Sequence, residues 1–406
     1  MKKFDIPLHF RSGVIGALKE RRKQNDPRKK DFEPTVLDFG PISFILPRHF
    51  GFCYGVENAI EISYKAVNEN RGKRLFLLSE MIHNPVVNED LNAQGIRFIM
   101  DAEGRQLIPW EELNSDDVII TPAFGTTVEI EKMLEEKGLE IQRYNTTCPF
   151  VEKVWKRSAE IGQKGYTIII HGKYKHEETR ATFSHSYQNA PSVIIRDMAE
   201  AELLAEFVLQ KRSREEFYKL FEGKYSEGFD PDKHLEQVGV VNQTTMLATE
   251  TQAIADFFKS VMQKRYAGDT KAHFADTRDT LCYATNDNQT ATNAVLKSNA
   301  DLAIVVGGYN SSNTSQIVTI LSEKMPAYFI SGEQDIVDRK EIYHFNYAKH
   351  ERKSAQNWLP DQPHVKIVLT SGASCPDTVL EAVMNKVLAM FPDILSKEEV
   401  IQNSFA

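Results

Sequence analysis

Three of this chain's four cysteines stand at turns that open amphipathic helical runs, a domain's length apart, so a fold that accommodates all three must repeat a local plan. They are Cys53 in Gly51-Phe52-Cys53-Tyr54-Gly55-Val56, Cys148 in Thr146-Thr147-Cys148-Pro149-Phe150-Val151 and Cys282 in Thr280-Leu281-Cys282-Tyr283-Ala284-Thr285. Apolar residues at helical spacing follow each: Ala59, Ile60 and Ile62; Val151, Val154 and Trp155; Ala291, Ala294 and Val295. About 95 residues separate the first two cysteines and about 134 the second pair. The longer interval holds a charged, Gly- and Pro-punctuated stretch near 212–237 that reads as an insertion. Without it the spacing is nearly equal, and a three-fold quasi-repeat would bring the cysteines to a common axis. A thiolate at a helix N-terminus faces unpaired N–H groups and the macrodipole, which is expected to lower its pKa.

Short β-rich runs alternate with helical segments, the pattern of parallel sheets with crossover helices, so the expected class is α/β. The expected strands are Ile42–Leu46, Arg74–Leu78, Val118–Thr121, Tyr166–Ile170, Val238–Val241, Leu302–Val306 and Val365–Thr370. Most run directly into a polar, Gly-rich or hydroxyl-rich motif, and the C-terminal edge of an open α/β sheet is where ligands bind. The 406 residues suffice for two or three domains, and 41% hydrophobic content supports buried cores. The expected division is an N-terminal arm, 1–41; a first α/β lobe, 42–147; a second, 148–278, carrying the insertion; and a third, 279–406, with a short polar tail after Pro392.

Apolar runs such as Tyr166–Ile170 are strand-sized, far short of the roughly 20 residues of a membrane span. Asp5 and Pro7 interrupt the place where a secretion signal would carry its apolar core. Four cysteines in so long a chain argue against a disulfide scaffold and for a reducing, cytoplasmic setting. A net charge of −8 disfavours nucleic acid as the main partner. The basic run Lys19–Lys30 is the local exception, and a solvated helix face or arm accounts for such runs in most proteins.

Three convergent thiolates fit a 4Fe-4S cluster with three protein-bound irons and one open iron, a catalytic arrangement. Buried core cysteines and a structural zinc are the alternatives. Burial does not explain a recurring helix-opening position, and zinc sites usually show C-x2-4-C pairs, which are absent here. Cys375, in Ser371-Gly372-Ala373-Ser374-Cys375-Pro376, breaks the pattern and reads as packing. Asn310-Ser311-Ser312-Asn313 and Ser371-Gly372-Ala373-Ser374 each follow a strand and offer hydroxyls, amides and backbone N–H groups suited to phosphate oxygens. Either alone would read as a helix N-cap, but two in matching places, with His83 and His176, point to an anion site. Glu178, beyond the strand Tyr166–Ile170, is a candidate proton donor, and Gln243-Thr244-Thr245 adds hydroxyls at an equivalent strand end. No P-loop and no G-x-G-x-x-G occurs.

With these motifs in order, the chain resembles the 4-hydroxy-3-methylbut-2-enyl diphosphate reductase family from about residue 42 to 390. The match rests on Gly51–Val56, Ile82-His83-Asn84-Pro85, Thr147-Cys148-Pro149, His176-Glu177-Glu178-Thr179, Gln243-Thr244-Thr245, Cys282–Thr285, Asn310–Asn313 and Gly372-Ala373-Ser374. The resemblance implies three pseudo-symmetric α/β lobes in a trefoil around one 4Fe-4S cluster ligated by Cys53, Cys148 and Cys282, with one iron open to the substrate hydroxyl. It implies that His83, His176, Ser311, Ser312, Asn313 and Ser374 hold the diphosphate. Thr244 and Glu178 would arrange the proton relay. The reaction implied is the reductive removal of that hydroxyl as water, giving isopentenyl or dimethylallyl diphosphate, the last step of the methylerythritol phosphate route to isoprenoids. A ferredoxin or flavodoxin-type donor would supply the electrons.

The chain departs from the commoner family pattern at Pro122-Ala123-Phe124-Gly125-Thr126-Thr127, where many bacterial members carry a diphosphate-binding histidine at the position of Phe124. This turn, His171-Gly172-Lys173-Tyr174 and the insertion resemble the plant and cyanobacterial branch. Phe124 cannot bind phosphate, so Thr126 and Thr127 become candidate substitute donors. A 4Fe-4S hydro-lyase or dehydratase and an iron-sulfur sensor remain the competing readings. The first needs no electron donor, and the second has no use for Glu178.

Overall fold

The computed structural model describes residues 4–28, 30–267, 269–275 and 280–404. In chain order the strands are β1 (Thr35–Asp38), β2 (Ile42–Leu46), β3 (Leu75–Leu77), β4 (Ile96–Phe98), β5 (Val118–Ile120), β6 (Thr167–His171), β7 (Ser192–Ile195), β8 (Val238–Asn242), β9 (Phe274–Ala275), β10 (Leu302–Val306), β11 (Ala327–Ile330), β12 (Glu341–Asn346), β13 (Glu351–Gln356) and β14 (Val365–Ser371). The mixed α/β class holds. The chain divides into two compact units, one built from Met1–Glu57, His83–Val86 and Tyr283–Ala406, the other from Asn58–Ile82 and Val87–Cys282.

The first unit has a five-stranded sheet in the order β1-β2-β14-β10-β11, parallel except where β1 runs antiparallel to β2, and the two-stranded antiparallel sheet β12-β13. Every residue of β2 and β10 is buried, as in strands covered on both faces. Phe44, Leu46, Ile304 and Ile367 join Ile15, Leu18, Leu380 and Met384 in one core. Ile45, Val305 and Val368 meet Val295, Ile317 and Leu321 in another. Alternation along each strand therefore feeds two cores. Because β2, β10 and β14 are parallel, the turns after them, which carry Cys53, Ser311–Asn313 and Ser374, leave the same edge of the sheet.

The segment expected as an appended arm is part of this unit. β1 extends the sheet, and Phe4, Ile6, Phe10, Ile15 and Leu18 are buried. Phe10 meets Phe52 edge-on at 5.9 Å, and Phe4 meets Tyr54 likewise at 4.9 Å, so the arm packs on both residues that flank Cys53. The basic run is engaged as well: Lys19 pairs with Asp377 at 2.6 Å and Arg22 with Asp31 at 3.1 Å. Lys29, in the same run, lies outside the described residues.

In the second unit β3 lies between β4 and β5, all parallel, and a further parallel sheet runs β7-β6-β8-β9. The stretch near 212–237 is folded rather than loose. Phe217 stacks on Phe221 and Phe229, each at 5.2 Å, within the core that holds Val193, Ile195 and Val240. The Ile194 N–H donates to the Lys224 carbonyl and the Ser226 N–H to that of Ser192, so this stretch covers the free edge of β7. The unit boundaries differ from the expected cuts. β2, expected to open the first lobe, is hydrogen-bonded to β14, and the cut at 147/148 falls inside the second unit. The cut at 278/279 falls in 276–279, outside the described residues. Among the described residues no helix is long and apolar enough to cross a membrane.

Candidate functional site

In the first unit the candidate anion donors gather at the ends of β10 and β14. Ser311 caps the helix Ser312–Ser322, its hydroxyl accepting from the Thr314 N–H at 3.2 Å and from the Thr314 hydroxyl at 2.9 Å. Both lone pairs are thus engaged and its own proton remains to donate. Asn313 Oδ1 accepts from the Ala373 N–H at 2.9 Å and from Asn288 Nδ2 at 3.3 Å, which fixes the amide. Asn313 Nδ2 and Ser312 Oγ are buried and have no hydrogen-bond partner among the described residues. Each such donor costs about 1–3 kcal/mol unless something accepts from it. Ser374 Oγ donates to the His83 carbonyl at 3.1 Å, which ties the His83 turn to the β14 turn. A Cβ on Gly372 would lie 2.0 Å from Thr314 Oγ1, so glycine there permits the helix to approach the strand end.

Cys53 belongs to the same edge: its N–H donates to the Ala373 carbonyl at 3.2 Å and its carbonyl accepts from the Glu57 N–H, opening the helix Tyr54–Glu69. The pKa expectation is corrected here. Burial pushes the Cys53 thiol up, and the N–H groups of Val56 and Gly55 at the helix start offset this only in part. The helix N-terminus is present as expected, but desolvation outweighs it.

In the second unit Cys148 is the N-cap of the helix Pro149–Gly162, with its N–H on the Ala123 carbonyl at 2.9 Å, so it sits beside the turn that carries Phe124. Glu178 is 1% exposed, at the start of the helix Glu177–Tyr187. Its carboxylate accepts from the Thr244 N–H, and the Thr244 carbonyl accepts from the Cys282 N–H at 3.3 Å. One residue, Thr244, therefore bridges the candidate acid and a candidate cluster ligand. His176 Nδ1 accepts from the Glu178 N–H at 3.2 Å, so in the neutral ring the proton is on Nε2, a donor for an anion. Phe124 stands edge-on to the His176 ring at 5.5 Å.

Thr127, expected as a substitute phosphate donor, is a helix cap in this structure. Its hydroxyl caps the helix Val128–Glu136, accepting from the Ile130 N–H at 3.4 Å, and it hydrogen-bonds the Glu129 carboxylate. The Thr126 carbonyl accepts from His185 Nε2 at 3.1 Å. Gly125, at φ +75°, is held under Trp155, whose ring atoms would lie 2.4 Å from a Cβ there. Asn288, which orients Asn313, was not singled out from the sequence. The signal was the polar run Thr285–Thr290 on a helix whose residues Thr285, Asn288, Gln289 and Thr292 are buried.

Cys53, Cys148 and Cys282 form no disulfide and are of intermediate exposure, whereas Cys375 is buried in the core, its thiol pushed up to about 12 by burial and by Asp377. Among the described residues no group of three or more His, Cys, Asp or Glu is placed to hold a metal ion. The fit to a cluster rests on the donor set: three reduced, partly accessible thiols, each followed at once by a helix.

The LytB protein family model matches residues 44–388. The 4-hydroxy-3-methylbut-2-enyl diphosphate reductase of Trichodesmium erythraeum is 39% identical over 357 residues, covering 87% of this chain and 86% of the relative. The reductase of the same name from Nostoc sp. is 39% identical over 392 residues, 95% of this chain and 91% of the relative. The fold is shared with the E-1-hydroxy-2-methyl-but-2-enyl-4-diphosphate reductase of Plasmodium falciparum, at a TM-score of 0.61 and 21% identity over 85% of this chain and 87% of that one. The turns built around Cys53, Cys148, Cys282 and Ser311–Asn313 all lie within the matched span, and the chain belongs to the LytB family.

Proposed function

We propose that the protein reduces (E)-4-hydroxy-3-methylbut-2-enyl diphosphate to isopentenyl diphosphate and dimethylallyl diphosphate, the last step of the methylerythritol phosphate route. Two electrons and two protons enter, the C–O bond to the hydroxyl breaks, and water leaves. The observation that carries this reading is the pair of buried, unpartnered donors Ser312 Oγ and Asn313 Nδ2 at a sheet edge, in a chain of the LytB family.

In this reading Cys53, Cys148 and Cys282 would hold one 4Fe-4S cluster, with one iron left open. When bound, such a cluster would relay electrons from the external donor and offer a Lewis-acid site for the departing hydroxyl. His83, His176, Ser311, Ser312, Asn313 and Ser374 hold the diphosphate. Glu178 delivers protons, and the Thr244 N–H holds the Glu178 carboxylate in place. The Thr244 hydroxyl extends the relay. Phe124 limits rotation of His176 and packs on the substrate hydrocarbon, and Thr126 is the remaining candidate for a substitute phosphate contact in its turn. A ferredoxin or flavodoxin-type protein delivers the electrons, and a reducing cytoplasmic compartment keeps the thiols available.

The test is anaerobic purification with iron and sulfide analysis, then turnover of the allylic diphosphate with and without a chemical reductant. The expected result is one 4Fe-4S cluster per chain and both C5 diphosphates only when reductant is present. Turnover without reductant would point to a hydro-lyase, and a cluster-loaded but inactive protein to a sensor.

A further inference from the structure

The turn that carries Ser311–Asn313 has an anchor that the proposed reaction does not use. The Ser311 N–H donates to the Gly308 carbonyl at 2.9 Å, so Tyr309 and Asn310 are the central residues of a tight turn. The Tyr309 hydroxyl donates to Asp335 Oδ2 at 2.8 Å. Asp335 is 2% exposed. The same oxygen accepts from the N–H and the hydroxyl of Ser331, each at 2.8 Å, while Oδ1 accepts from Arg352 Nε at 3.2 Å and Nη2 at 2.7 Å. Burial alone would raise the Asp335 carboxyl, yet Ser331, Tyr309 and Arg352 hold it below the usual carboxylate range. The Tyr309 ring is stacked on Phe345 at 4.5 Å and 11° and meets Phe329 edge-on at 5.4 Å. Arg352 and Phe345 both come from the β12–β13 hairpin, a two-stranded sheet that is bridged to the preceding segment at Ile336–Ile342.

Packing accounts for the stacked ring. It does not account for a carboxylate buried to 2% exposure whose cationic partner, Arg352, stays half exposed, because burying a charge costs free energy against apolar residues of the same volume. What a fully bonded ionic set adds is direction: it admits one orientation of the phenol. We propose that Tyr309 is a positioning residue, latched through Asp335 to Arg352 of the hairpin, which holds Ser311–Asn313 in the conformation that presents Ser312 Oγ and Asn313 Nδ2 to the substrate diphosphate. This inference rests on the reading of Ser311–Asn313 as the diphosphate cradle.

The experiment measures binding of inorganic pyrophosphate by calorimetry to the anaerobic holoprotein and to Tyr309→Phe, Arg352→Gln, the double variant and Ser312→Ala. Steady-state kinetics and melting temperature are measured alongside. Tyr309→Phe is expected to weaken pyrophosphate about 5- to 20-fold, the scale of one lost hydrogen bond. KM for the allylic diphosphate should rise by the same factor, with kcat within about twofold and the melting temperature nearly unchanged. Arg352→Gln should raise the pyrophosphate Kd and KM likewise, but with a lower melting temperature, because it leaves the buried Asp335 carboxylate short of its cation. The double variant should be little worse than either single one, because both act through Asp335. Wild-type pyrophosphate affinity in Tyr309→Phe, a loss confined to kcat, or additive effects in the double variant would overturn the latch. If Tyr309→Phe is unchanged while Ser312→Ala loses affinity, the latch alone fails. If Ser312→Ala also binds as wild type, the cradle reading fails with it.

Discussion

The turn Ser311–Asn313 after β10 and the turn Thr126–Thr127 after β5 are built from the same kinds of residue at the same kind of place, a strand end that opens a helix. They differ in what their polar atoms have left to offer. The Thr127 hydroxyl serves the Ile130 N–H and the Glu129 carboxylate. In the other turn Ser311 is the cap, and the buried Ser312 Oγ and Asn313 Nδ2 are left with no partner among the described residues. A hydroxyl at a helix start stabilises the helix when its bonds close locally, and marks a binding site when neighbouring donors stay unpaired in a buried place. The cysteines divide in the same way. Cys375 is enclosed in core, while the other three keep partial exposure at helix starts.

The largest effect should come from the cysteines. Serine at Cys53, Cys148 or Cys282 is expected to remove most of the iron and with it all turnover. Cys375→Ser should keep the iron while costing about 1–3 kcal/mol of stability for a hydroxyl in an apolar setting. Equal iron in all four variants, by colorimetric assay, would erase the division. Next is Glu178→Gln, which preserves an acceptor for the Thr244 N–H yet removes the acid. Turnover should fall by about 10^2 to 10^4 with cluster content and KM nearly intact. A change confined to KM would make Glu178 a binding group instead.

Ser312→Ala and Asn313→Ala should each raise KM for the diphosphate substrate about 10- to 100-fold, corresponding to one charge-assisted bond. The smallest effect belongs to Thr127→Ala. Chemical denaturation should show a loss of about 1 kcal/mol, the ordinary cost of an N-cap, with KM unchanged. A rise in KM for Thr127→Ala as large as that for Ser312→Ala would collapse the contrast between the two turns.

Much of this was legible in the sequence because it rests on local pattern. The runs Ile42–Leu46 and Leu302–Val306 form the strands expected, and the polar motifs follow them directly. Elements defined by tertiary contact were not legible. β13, Glu351–Gln356, is almost wholly exposed and lacks the apolar alternation that marks a strand, and β4 has three residues. The N-terminal segment read as an arm because Phe4, Ile6 and Phe10 are too irregularly spaced to announce a buried face, yet all three are buried. The lowered pKa expected for Cys53 missed for a related reason: a helix start is visible in sequence, but the desolvation that outweighs it is not. Thr127 was indistinguishable from Ser311 by residue type, since only the partners of each hydroxyl separate them.

The central claim is that the diphosphate is held where donors are left open. An anaerobic crystal structure of the holoprotein with bound allylic diphosphate tests it most directly, through the distances from the phosphate oxygens to each candidate donor. The expected result is Ser312 Oγ and Asn313 Nδ2 each within about 3.2 Å of a phosphate oxygen, and the Thr127 hydroxyl still on its cap, beyond hydrogen-bond reach. A diphosphate seated away from Ser311–Asn313, with Ser312 Oγ and Asn313 Nδ2 still without an acceptor, would contradict it.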